Sequence, residues 1–176
     1  MASTYENDLR LEEIGDGEQS GTWGATTNTN LELISEALSF GTEGITTNAD
    51  SHTTAIADGA SDPGRSLYLK YTGTLDSACT ITITPAAVSK VWYIENGTSG
   101  SQSIIISCGS GANVTIKTGQ TKIVYSDGSG AMAEIGTLGV TNLAVDTNAT
   151  VGGTLGVTGV LTGTSLDISG NVDIDG

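Results

Sequence analysis

The sequence is poor in positive charge. Six lysines and arginines stand against 20 aspartates and glutamates, a formal net charge of −14. Nucleic acid and anionic membrane surfaces both present negative phosphates that repel such a chain, so neither is an expected partner, whereas a basic protein surface is compatible. No run approaches the roughly 20 apolar residues that cross a bilayer. The opening MASTYENDLR lacks the cationic and apolar segments of a signal peptide. The expectation is synthesis and assembly in a cytoplasm, without membrane insertion. Cysteine is scarce too: Cys79 in SACTITI and Cys108 in IIISCGSG have neither CxxC nor His-rich spacing, which excludes a disulfide framework and leaves buried free thiols as the reading.

Histidine occurs once, at His52 in NADSHTTA. A catalytic triad is assembled from distant segments into a pocket, and Asp50 and Ser51 beside His52 in a polar loop supply no such geometry. Aromatic residues are few, two Trp, five Tyr and one Phe. What is abundant is glycine, at 25 of 176 residues, with serine and threonine throughout, while only 15% of residues are charged and 37% are hydrophobic. Such a chain is polar through hydroxyls and amides, which favours short strands and tight turns over helices. Its length fits one ordinary domain with appendages or with a fibrous extension.

Three textures follow one another. Residues 1–44 form an acidic leader, in which Thr29-Asn-Leu-Glu32 has the spacing of a capping box and Leu31, Ile34 and Leu38 recur at helical spacing, predicting a short helix that ends near Gly41. Leu9, Leu11 and Ile14 are isolated among acids, too little apolar surface to fold alone, so the leader is expected to lie on something else. Residues 45–135 change period. The runs TTAIA, SLYLKYTG, CTITIT, VSKVWYIE, QSIIIS, NVTIK, TKIVYS and AMAEI, separated by Gly, Asn and Asp turn chemistry, predict a small all-β domain, sandwich-like, of about eight strands.

From Gly136 apolar pairs two residues apart recur at short intervals: Leu138/Val140, Leu143/Val145, Ala149/Val151, Leu155/Val157, Leu166/Ile168 and Val172/Ile174. This is a short-period β repeat. Such pairs bury too little to order the segment alone, and intertwining copies covers both faces and every strand edge. A parallel homotrimeric shaft is therefore expected, with Leu138, Val140, Leu143, Val145, Val151, Leu155, Val157, Leu166, Ile168, Val172 and Ile174 as its core. The sequence stops at DIDG in mid-repeat, and a shaft continuing past residue 176 is expected. The fold class is thus mainly β: a leader with one helix, a small β-sandwich-like domain, and a repeat shaft.

The leader YENDLRLEEIGDGEQSGTWGATTNTNLELI resembles the amino-terminal segment of tail-fibre and other appendage proteins of tailed bacteriophages. The region from GRSLYLKYTGTL through VWYIENGTSG to KIVYSDGSG is similar to the small β domain that follows it there, and the repeat resembles their fibrous shafts. The resemblance implies a structural virion protein that attaches by its amino terminus to other virion proteins of the tail or portal region, or to the capsid, and projects a trimeric fibre towards the host. Alternatives of the same kind are the head-binding part of a polysaccharide-degrading tailspike and a capsid-mounted fibre. A carbohydrate-binding adhesin is a third reading.

Trp23, with Gly21 and Gly24 around it, either folds back on its own helix against Leu31 or Ile34 or enters a pocket of another protein. The resemblance favours docking, through Trp23, Leu31, Ile34 and Leu38. No catalytic residue, cofactor or metal site is expected. Carboxylate pairs of the glycosidase kind are not assembled by turns such as Asp58-Gly59 and Asp62-Pro63-Gly64. Asn171, Asp173 and Asp175 alternate like the opening of a calcium loop, but Val172 and Ile174 between them continue the apolar repeat. Lys90, Trp92 and Tyr93 read as part of a core strand rather than as a ligand platform.

Overall fold

The computed structural model describes residues 2–136 and, beyond them, residues 145, 149, 151–152, 154–160 and 162–163. One compact unit runs from Met1 to Leu138 and a second from Gly139 to Gly176. The leader belongs to the first unit together with the strands that follow it. Among the described residues no helix is long and apolar enough to cross a membrane.

The fold is mainly β. After helix α1 (Trp23–Ala37) come strands β1 (Phe40–Gly44), β2 (Ser51–Ala55), β3 (Tyr68–Thr72), β4 (Cys79–Thr84), β5 (Ser89–Asn96), β6 (Ile104–Ser107), β7 (Val114–Ile116), β8 (Thr121–Asp127) and β9 (Ala133–Glu134), with a 3-10 turn at Pro63–Arg65. The eight runs expected from the sequence are β2 to β9. The strand not foreseen is β1, whose sequence FGTEG holds one large apolar residue.

The strands form two mixed sheets, one in the order β1-β3-β5-β8-β9 and the other β2-β4-β6-β7. From β1 to β6 each successive strand changes sheet, and β1, β3 and β5 are mutually parallel, as are β2, β4 and β6. The chain therefore winds as a flattened coil with two strands per turn. Antiparallel pairing begins only at its end, where β7 pairs with β6, β8 with β5, and β9 with β8. The hairpins implied by the Gly-rich turns are mostly absent, since the same residues serve as corners where one turn of the coil stacks on the next. Ser99 donates its amide to the Gly73 carbonyl at 2.8 Å, and Leu75 donates to the Ser99 carbonyl at 3.1 Å. At Gly100 φ is +95°, and a Cβ would lie 1.9 Å from the Leu75 carbonyl oxygen, so this corner requires glycine.

Alternation then fills the space between the sheets. Leu69, Tyr71, Trp92, Ile94 and Val124 of one sheet meet Ile81, Ile83, Ile104, Ile106, Val114 and Ile116 of the other in a single buried cluster. Cys79 and Cys108 belong to that core as free thiols. Burial raises the pKa of both.

The leader lies on this coil, within its own chain. Thr4 and Glu13 bridge across a loop, Arg10 pairs with Asp58 at 2.7 Å, and Asp8 accepts the Ser89 amide at 2.7 Å. Asn30 of α1 exchanges side-chain hydrogen bonds with the Glu12 backbone at 3.0 and 2.9 Å. Helix α1 begins at Trp23, not at a Thr29 cap, and its N-cap Thr22 makes no side-chain capping bond. Gln19 does the work of a cap instead, with its carbonyl accepting the Trp23 amide at 3.0 Å and its side chain accepting the Thr26 hydroxyl. The threonine-rich first half has weak helix propensity, which is why the periodicity becomes legible only at Leu31. The helix buries Leu33 and Ala37.

Candidate interaction surface

Seating Leu33 and Ala37 on the coil turns another stripe of α1 outward. Trp23, Leu31, Ile34 and Leu38 are spaced at helical intervals along it and are exposed, Trp23 at 63% and Leu38 at 74%. Trp23 is not a satellite core for its own helix. All four residues, three on α1 and Leu38 at its C-cap, are exposed.

Sequence reasoning missed a second apolar surface. Strands β3, β5 and β8 point Leu69, Trp92, Ile94 and Val124 inward, so the alternate residues Tyr68, Val91, Tyr93, Ile123 and Tyr125 face out. Registry places Phe40 beside Tyr68, Tyr68 beside Tyr93, and Val91 opposite Tyr125. The rings of Phe40 and Tyr68 stack at 5.2 Å between centroids, and those of Tyr68 and Tyr93 at 6.5 Å with planes 6° apart. At one end of this ladder an open groove of about 580 Å³ is lined by Leu38, Ser39, Phe40, Leu67, Tyr68 and Tyr93, so Leu38 joins it to the helix stripe. The available signal was VWYI in β5, apolar in both phases of the alternation, which is the pattern of a strand with two apolar faces. Trp92 is core, as expected, but Tyr93 is 40% exposed. Lys90 lies 5.3 Å over the Trp92 ring.

The ladder's polar side is self-contained. Tyr68 donates its hydroxyl to Glu95 at 2.9 Å, and Lys70 pairs with the other Glu95 oxygen at 2.8 Å. The bond from Lys70 holds the Glu95 carboxyl below the usual range, and the same contact raises Lys70.

Two clusters of polar side chains are assembled from separate elements. His52 Nε2 lies 2.7 Å from Glu43 Oε1, while Thr54 donates to Glu43 Oε2 at 2.9 Å and lies 2.7 Å from the Tyr71 hydroxyl. Asp50 is not part of this group, since its carboxylate accepts the Ser77 hydroxyl. The Thr54 hydroxyl donates to the Glu43 carboxylate rather than to the imidazole, so the histidine and this hydroxyl do not form a hydrogen-bonded pair. Asp62 and Glu36 converge on buried Arg65 at 3.1 and 3.8 Å. Asp62 is raised by burial despite that cation, and it accepts the Ala57 and Arg65 amides at 2.8 Å. No group of three or more potential metal ligands occurs among the described residues.

Of the residues expected to form a shaft core, Val145, Val151, Leu155 and Val157 are described and exposed. Leu138, Val140, Leu143, Leu166, Ile168, Val172 and Ile174 lie outside the described residues, as do Asn171, Asp173 and Asp175. Comparison of the chain with protein-family models, with curated protein sequences and with solved structures gives no match.

Proposed function

We propose that this chain is a non-enzymatic structural subunit of a tailed-bacteriophage appendage, a tail fibre or fibre-like adaptor. It attaches to another virion protein through α1 and projects the trimeric repeat outward. The observation that carries the reading is the exposed stripe Trp23, Leu31, Ile34 and Leu38 on a helix whose other side is seated on the coil. An exposed apolar stripe of this kind marks an interaction site. A tryptophan entering a partner's pocket contributes about 2 kcal/mol or more, and the neighbouring Glu6, Asp8, Glu12 and Glu13 orient the leader against a basic socket. The resemblance of the leader to phage attachment segments gives the partner its class.

The test is incorporation. Particles assembled with Trp23→Ala are expected to carry sharply less of this protein by quantitative mass spectrometry, while the purified variant melts like the parent. Normal occupancy by the variant removes α1 as the anchor.

A further inference from the structure

We propose that the outer face of the five-stranded sheet, centred on Val91, Tyr93 and Tyr125, binds a second copy of this chain. The inference rests on the oligomeric part of the proposed function and adds the surface through which it operates.

All-parallel sheets are normally covered on both faces, and three of the five strands of this mixed sheet, β1, β3 and β5, are parallel. Here the core covers one face of the β1-β3-β5 sheet, while Val91, Tyr93 and Tyr125 stand 38–42% exposed on the other. Charge selects the occupant. The chain carries −14, so two copies repel each other over most orientations. On the outward positions of β1, β3, β5 and β8 the charged side chains are Lys70 and Glu95, joined at 2.8 Å, and Asp127 at the strand end. This face is therefore nearly neutral and lets an equally acidic copy approach at least cost. Lys70 and Glu95 stand side by side, with Asp127 apart at the strand end, so a facing copy can also set Lys70 against Glu95. A basic partner is drawn instead to the acids of the leader.

Sedimentation equilibrium on the full chain tests this, with Val91→Asp and Tyr93→Asp as variants and Thr115→Asp as control. Thr115 is exposed on β7 of the other sheet, so the control adds the same charge elsewhere. The parent is expected to self-associate, the two sheet variants at least tenfold more weakly, and the control like the parent, with melts unchanged. Hydroxyl-radical footprinting of the parent is expected to show Tyr93 and Tyr125 protected at high concentration, a readout that needs no variant to fold. An oligomer whose association survives both sheet variants, or whose tyrosines stay unprotected, overturns this surface and leaves the oligomeric reading standing. A parent that stays monomeric overturns both, and if host polysaccharide then quenches its tyrosine fluorescence, sugar is the occupant.

Discussion

Arg65 Nε donates to the carbonyl of Leu9 at 2.9 Å, so a fully buried guanidinium in the coil holds the backbone of the leader. The same side chain donates to the Ala60 and Ala57 carbonyls at 2.7 and 2.6 Å and pairs with Asp62. Replacing it with methionine leaves three carbonyls without their donor and the Asp62 carboxylate without its cation. Arg65→Met is expected to cost about 3–5 kcal/mol, and Arg65→Lys recovers little, because a point ammonium cannot reach donors' positions spread around a planar fork. Urea unfolding followed by circular dichroism measures both. A loss below about 1 kcal/mol, in the range of an exposed pair, refutes the clamp.

Asn96 closes the far end of β5 in a similar way. Its Nδ2 donates to the Gln102 and Ile116 carbonyls at 3.0 and 2.9 Å, and its Oδ1 accepts the Thr98 amide and hydroxyl at 3.2 and 2.6 Å. Asn96→Asp sets an acceptor against two carbonyls in a fully buried position, at an expected cost of about 3 kcal/mol at pH 7. Burial raises the folded-state pKa of the new carboxyl above its unfolded value. The folded variant then takes up the proton first, and the deficit shrinks as pH falls towards and through that raised pKa. Unfolding curves at pH 7 and pH 4.5 check it. A deficit equal at both values contradicts burial of the charge.

The strands were legible because their apolar residues alternate or run on, as in CTITIT and SIIIS. Their pairing was not, because a coil corner and a hairpin need the same residues: Gly73 and Gly100 take positive φ at corners as they would in turns. The length between strands did not decide the matter either, since crossing to the opposite sheet and back is a short path. Arg65, Asn96 and Glu43 were passed over for another reason. Each is a polar residue whose role depends on partners remote in sequence, and the local pattern around them is that of a turn or a strand edge. The exposed stripe on α1 was visible from spacing alone; the ladder of Phe40, Tyr68 and Tyr93 was not, because it exists only once β1, β3 and β5 are parallel and in register.

Lys90 gives a prediction with the opposite sign from a salt bridge. Burial over Trp92, reinforced by Arg65, pushes its pKa down to about 8. Below that value the folded state bears the cost of a partly desolvated ammonium. As pH rises through about 8 towards the ordinary lysine value the unfolded chain holds the proton that the folded chain has released, so stability from this group rises across that window. Lys90→Met keeps the stem over the indole and removes the charge. It is expected to raise the melting temperature at pH 7 and to lose most of that advantage near pH 10. A variant that melts lower at pH 7 would show that the ammonium is stabilising where it lies.

The last prediction concerns the division after Leu138. The buried core ends at Met132, and the final backbone bond of the sheet on the described chain runs from the Ile135 amide to the Ile123 carbonyl at 3.0 Å. Among the described residues, the core cluster holds none beyond Met132. A chain ending at Gly136 is therefore expected to fold, with a melting temperature within a few degrees of the parent, since about 1 kcal/mol shifts a domain of this size by roughly 4 °C. If the apolar pairs of the repeat associate as proposed, the shortened chain self-associates more weakly than the parent, leaving whatever the sheet face contributes. Calorimetry and sedimentation of the two chains separate these effects. An unfolded product would mean that the repeat is needed for the coil itself, and equal association would take the repeat out of the interface.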